Sequence, residues 1–314
     1  MDFLYLLEKI RIPVLNEFML LITHLGEETA FLVVAMIIFW CVDKRRGYYI
    51  LSVGFIGTII NQFMKMWFRV PRPFELDQNF ECLPAAKPEA TGFSFPSGHT
   101  QSSVGTFGGL AYTEKRKWLK TILICIAVLV PFSRMYVGVH TPQDVLVAAA
   151  IALVLIFAIR PIVYNKDGKY IPYLLGGMFV IAIAYLLFVS FYDFPKDVNQ
   201  EHLVSGVESA YTLLGALLGL FVVYFVDEKW LNFNVEAVWW AQVLKVALGL
   251  GAVLVVKSGL KGVLNAAFGE FAGRSVRYFL VVIVAGVVWP LSFKFFGKLG
   301  KSNTADRGDL YECD

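Results

Sequence analysis

The sequence predicts an all-α, polytopic membrane protein with about nine transmembrane helices, in a range of about eight to ten. Three observations carry that prediction. Apolar runs of roughly 20 residues, the length a helix needs to cross a bilayer, recur along the whole chain. Charged residues make up only 17% of the 314 residues, well below the usual quarter or so of a soluble domain. Hydrophobic residues reach 57% and the mean hydropathy is +0.63, so these segments lack the polar face a soluble helix needs.

The first twenty residues, MDFLYLLEKIRIPVLNEFML, meet Glu8, Lys9 and Arg11 before any long apolar core. They read as an amphipathic segment in the membrane interface and not as a cleavable signal. Spans are then expected at about 25–42, 47–69, 97–114, 118–139 and 142–163, and again at about 170–192, 204–226, 236–257 and 276–297. Basic clusters lie at 43–47 (DKRRG), 114–117 (EKRK), 165–169 (NKDGK) and around Lys294, Lys298 and Lys301. The positive-inside rule puts those connections in the cytoplasm. Segments 70–96 and 193–203 and the turn near His140 then face outward, as for a protein of the cell (cytoplasmic) membrane. Lys257, Lys261, Arg274 and Arg277 fall on the expected outer side and break the pattern.

The NKDGK connection divides the chain into a first block, 1–164, and a second, 165–300, followed by a polar cytoplasmic tail, 301–314. The net charge of +3 says little about partners. Cys41 and Cys125 fall in or near apolar spans and Cys82 is far from Cys313, so neither a metal spacing nor a disulfide framework is evident.

Three polar clusters fall at the expected outer ends of helices in the first block. They are KMWFRVPRP with Lys65 and Arg72, PSGH at 96–99, and SRMYVGVHTPQD with Arg134, His140 and Asp144. Ionisable residues at membrane depth are costly and point to function. Singly, each has a structural reading. Lys65 can snorkel, the two histidines can sit at helix ends, and Asp144 in HTPQD suits a first helical turn capped by Thr141. Their convergence on one side suits phosphoryl transfer. Lys65, Arg72 and Arg134 are fixed cations for phosphate oxygens. Ser97 and the backbone N–H groups around Gly98 begin a helix, which favours an anion. One histidine can attack phosphorus while the other protonates the leaving oxygen, and Asp144 can orient the nucleophile.

In this order, K-x6-R-P, P-S-G-H and S-R-x5-H-x3-D resemble the three-part signature of the type 2 phosphatidic acid phosphatase family, over roughly residues 18–160. The resemblance implies a membrane phosphatase with His140 as nucleophile, forming a phosphohistidine. Asp144 would be its partner, His99 the general acid, and Lys65, Arg72, Ser97, Gly98 and Arg134 the phosphate ligands. It implies no metal and no other cofactor. The expected partners are the bilayer and a lipid phosphate or diphosphate (polyprenyl, phosphatidate-type or sphingoid-type), with no nucleic acid. The alternative is a lipid transporter or lipid-binding scaffold on a phosphatase-like core. In the second block, Gln242, Lys245, Lys257, Lys261 and Asn265 either mark a second cavity or lipid route, or line the ends of structural helices.

Overall fold

A computed structural model describes residues 1–195 and 198–299. The expected tail at 301–314, with Lys301 and Cys313, lies outside the described residues. In chain order the helices are α1 (Asp2–Lys9), α2 (Pro13–His24), α3 (Glu28–Cys41), α4 (Lys44–Phe68), the short α5 (Pro73–Leu76), α6 (Gly98–Ser103) and α7 (Gly109–Thr113). Then come α8 (Lys117–Tyr136), α9 (Pro142–Val163), α10 (Ile171–Phe191), α11 (Gln200–Val226), α12 (Trp239–Gly259), α13 (Lys261–Phe268), α14 (Glu270–Ile283) and α15 (Phe293–Phe296). No strand occurs among the described residues.

Among the described residues, six stretches are long and apolar enough to cross a bilayer: α8, α9, α10, α11 with its continuation to Leu231, α12 with α13, and α14 with its continuation to Phe296. The pair α2 and α3, bent by 53° where they meet, adds a seventh. The expectation of about nine is therefore approximate. The two remaining spans are helical where expected but less apolar or shorter. α4 carries Asn61, Gln62 and Lys65 in its last turns, and the 98–113 helix is rich in glycine and hydroxyl side chains.

That polar helix is the centre of the first block. Thr100, Gln101, Ser102, Ser103 and Thr106 are buried against α4, α8 and α9. Its small residues let neighbours approach closely: a Cβ on Gly57 of α4 would collide with the Gln101 side chain. Between α6 and α7 the helix loosens into a π-helical turn, Val104–Gly108, a distortion often found near functional sites.

The two sequence blocks share one core. A single cluster of buried residues runs from Phe31 and Tyr48 through Ile156 to Leu213, Val253 and Phe293. Polar ties cross the boundary. Trp40 Nε1 donates to the Ala285 carbonyl at 2.9 Å, and Lys44 Nζ pairs with Asp227 Oδ2 at 2.7 Å. Lys245, 1% exposed, donates to the Trp40 carbonyl at 2.9 Å and lies over the Phe293 ring. It thereby satisfies a carbonyl at the end of α3 that has no helical partner. Lys245 and Gln242, which also donates to the Val235 carbonyl, thus hold helix ends together, whereas Lys257 lines a cavity.

Candidate active site

The second half of the 70–96 connection and the ends of α4, α6, α8 and α9 meet at one end of the bundle. Arg72 N-caps α5, where its backbone N–H donates to Glu75 Oε2 at 2.7 Å. Its buried guanidinium is held by carbonyls of the folded connection, with Nε to Gly92, Nη2 to Thr91 and Nη1 to Val139. A cavity of about 390 Å³ opens beside it, lined by Lys65, Arg72, Gly98, His99, Arg134 and His140 among others. Six of the eight residues singled out from the sequence therefore share one chamber. A Cβ on Gly98 would have no atom nearer than Asn61 Oδ1 at 3.9 Å, so glycine there keeps space open at the start of α6.

The other two stand behind the wall. Ser97 is fully buried and N-caps α6, its Oγ accepting from Thr100 N at 3.4 Å and Thr100 Oγ1 at 3.0 Å. Its own N–H donates to the Asp144 carbonyl at 3.1 Å. Asp144 opens α9 in a capping box with Thr141. Its Oδ2 accepts from Thr141 N at 2.8 Å and from Ser94 Oγ at 2.6 Å, and faces His140 Nδ1 at 3.4 Å.

The neighbours of His140 fix its tautomer. Arg72 Nη1 lies 3.1 Å from His140 Nε2, and a guanidinium can only donate, so Nε2 is the lone-pair nitrogen. Nδ1 then carries the proton and shares it between Asp144 Oδ2 and Ser94 Oγ, the latter 3.3 Å away. The imidazole is 2% exposed. Burial, reinforced by Arg72, Arg134 and Lys65, holds it neutral well below the ordinary histidine range. A neutral ring with its lone pair against Arg72, which lines the cavity, and a carboxylate behind it is an arrangement suited to a nucleophile.

On the same chamber, His99 Nε2 is buried without a hydrogen-bond partner among the described residues. Arg134, 1% exposed, donates through Nη1 to Thr23 Oγ1 at 2.6 Å, while its Nε is unpartnered. Asn61 and Gln101 line the same chamber with both ends of their amides unpartnered. Buried polar atoms left open in this way leave donors and acceptors available to a polar ligand in the chamber.

Sequence reasoning missed Asn61, Gln101, Ser94 and His202. Asn61 lies one turn before Lys65, so helical spacing would have placed both on one face. Gln101 is three residues after Gly98 and follows from the same rule. Ser94 precedes the PSGH stretch in a connection whose path the sequence does not reveal. His202 comes from α11 of the second block, lines the chamber and stacks edge-on to Phe93 at 4.8 Å. At the rim, His24, Glu27 and Glu89 bring their ligand atoms within 4.8 Å of one another, a group able to hold a cation. No sequence spacing reveals it, because Glu89 is far from the other two along the chain. His24 Nδ1 and Glu27 Oε1 are already joined at 2.5 Å.

Known proteins bear on this geometry. Residues 45–167 match the PAP2 superfamily, and residues 211–302 match the PAP2 superfamily phosphatase, transmembrane extension. Phosphatidylglycerophosphatase B of Bacillus subtilis is 33% identical over 164 residues, covering 48% of this chain and 76% of that protein. Undecaprenyl-diphosphatase of Sulfolobus acidocaldarius is 30% identical over 137 residues, 43% of this chain and 65% of that protein. A probable sphingosine-1-phosphate phosphatase of Dictyostelium discoideum is 31% identical over 175 residues, 51% of this chain and 42% of that protein. No solved structure matches. With the three-part motif gathered around one chamber, and with these matches, the chain belongs to the PAP2 superfamily.

Proposed function

We propose that this protein cleaves a lipid phosphate or diphosphate through a phosphohistidine at His140, without a metal ion. In coarser terms it is an integral membrane lipid phosphatase, a phosphoric ester hydrolase. The observation that carries the mechanism is that one chamber is lined both by His140, whose Nε2 lone pair meets Arg72 Nη1, and by His99, whose Nε2 has no partner among the described residues. A transporter or scaffold has no use for a nucleophile, its carboxylate and an acid.

In the first step the Nε2 lone pair attacks phosphorus and the bond to the leaving oxygen breaks. His99 delivers a proton to that oxygen, releasing the lipid alcohol or, from a diphosphate, the lipid monophosphate. The positive charge left on the phosphohistidine ring is stabilised through Nδ1–H by Asp144, with Ser94 bridging. Lys65, Arg72 and Arg134 face the equatorial oxygens, where charge is spread in the transition state. In the second step water attacks phosphorus, His99 takes its proton, and the P–N bond breaks to return neutral His140 and inorganic phosphate. Ser97 and Gly98 serve by starting α6 where its backbone N–H groups reach the chamber.

Residues 1–164 would supply this chemistry, and residues 165–300 a supporting wall. The loop charges favour a chamber on the extracytoplasmic side of the cell membrane. A polyprenyl diphosphate, a phosphatidate-type or a sphingoid-type lipid phosphate all suit it, and the names of the relatives are compatible with each class. The test is phosphate release from a panel of such lipids by purified protein in excess chelator. Wild type is expected to release phosphate and His140→Ala to lose at least about 1000-fold. Equal release by both, abolition by chelator, or no release from any lipid would overturn the proposal.

A further inference from the structure

A second cavity, of about 420 Å³, lies between α3 and α4 on one side and α11, α12 and α14 on the other. Its walls are predominantly aliphatic and aromatic. It adjoins the phosphate chamber, because Glu28, Thr29, Phe31, Thr58, Ser205 and Ser209 line both. Along α3 it runs from Glu28 to Trp40, about 18 Å at about 1.5 Å per residue. One leaflet of a bilayer core is roughly 15 Å deep, so the cavity has the depth that a lipid chain occupies.

We propose that this cavity holds a hydrocarbon chain of the lipid whose phosphate enters the first chamber, an inference that rests on the phosphatase reading above. The second sequence block is then half of the substrate site. It also accounts for two of the four basic residues that break the loop-charge pattern. Lys257 lines the cavity, as does Arg274, which pairs there with Glu208. Glu208 is one residue from the shared Ser209, so the Arg274 pair stands close to where the two cavities adjoin, on the path of an anionic headgroup. In a bilayer no hydrophobic transfer drives a chain into such a groove, because lipid tails are already apolar. Its contribution is alignment: a chain fixed along α3 holds the phosphorus in line with His140 Nε2. Selectivity should therefore be steric, set by how much chain the groove admits.

Two measurements test this. The first uses the wild-type chain and a non-cleavable lipid phosphonate bearing a photoreactive group at its chain end. Labelling is expected on α3, α11 or α12 residues of the groove, competed by an unlabelled lipid phosphonate and not by a zwitterionic phospholipid. Labelling confined to the outward faces of α8 or α13 overturns the proposal. So does equal competition by the zwitterionic lipid, which would make the groove a resting place for bulk lipid. The second compares short- and long-chain forms of phosphatidate and of isoprenyl diphosphate with Ala216→Phe and Val253→Phe, which narrow the groove. The long-to-short ratio of kcat/KM is expected to fall ~10-fold or more, and an unmoved ratio in well-folded variants counts against it. Wild type that cleaves none of these lipids would instead sink the phosphatase reading, while the labelling result still decides the groove.

Discussion

At the residue scale, the placement of His140 has a consequence for stability as well as chemistry. The folded protein keeps this imidazole neutral, with its protonation pushed far below the usual range by burial and the cations around it. The unfolded chain binds that proton normally, near pH 6.5 or so. Below that value the unfolded state holds one more proton than the folded state. Stability from this group is thus complete above about pH 6.5 and falls as the pH drops, by up to about 1.4 kcal/mol per pH unit. The thermal midpoint of the detergent-solubilised protein is expected to fall more steeply between neutral and mildly acidic pH in wild type than in His140→Asn. Parallel slopes would mean that the ring is not held neutral. The residue scale also shows why Asp144 could be read from sequence and Ser94 could not. Asp144 sits at a fixed offset from Thr141 and Pro142 in a helix start, whereas Ser94 reaches His140 only through the folding of a connection without regular structure.

At the scale of elements, the seam between α11 and α14 rests on residues without side chains. A Cβ on Gly215 would run into the Ser275 carbonyl, and one on Gly219 would come within 2.9 Å of Val282 Cβ. Backbone cannot swing aside as a long side chain can, so Gly215→Val must part the two helices. A loss of about 1–3 kcal/mol is expected, read as a lowered unfolding midpoint in detergent. Because α11 and α14 both wall the apolar cavity, a midpoint equal to wild type would show that this close approach does not hold the seam. The bent junction of α2 and α3 is a second element the apolar pattern did not reveal. Gly26 in the bend lies against Val130 and the backbone of His99. The apolar pattern placed the first twenty residues in the interface and opened a span at about 25, so a boundary near the bend was legible while the joining of the two helices across it was not.

At the scale of the whole molecule, the three-part motif was legible because it is local: each of its parts spans at most twelve residues at a helix end, and helix ends can be read from caps and prolines. The contribution of residues 165–300 was not, since His202, Ser205 and Ser209 reach the chamber only through the packing of α11 against α4. Membrane sidedness is also a property of the whole chain. The charged connections predict that the end bearing the chamber faces away from the cytoplasm. A cysteine at the exposed Ala85, in a chain cleared of native cysteines, is therefore expected to react with an impermeant thiol reagent added outside intact cells. Reaction only after the cytoplasmic face is opened would invert the topology.

The contact between Arg72 and His140 also says something about the protein at rest. Of the five N–H groups of the guanidinium, the Gly92, Thr91 and Val139 carbonyls and His140 Nε2 engage four. In the proposed mechanism, the electron pair that attacks phosphorus is thus capped at rest by a hydrogen from Arg72, the residue proposed to clamp the phosphate. A phosphate oxygen that claims that hydrogen would uncover the pair that attacks it. On that proposal Arg72 acts as a safety catch that the substrate itself releases, so that docking and arming become one event.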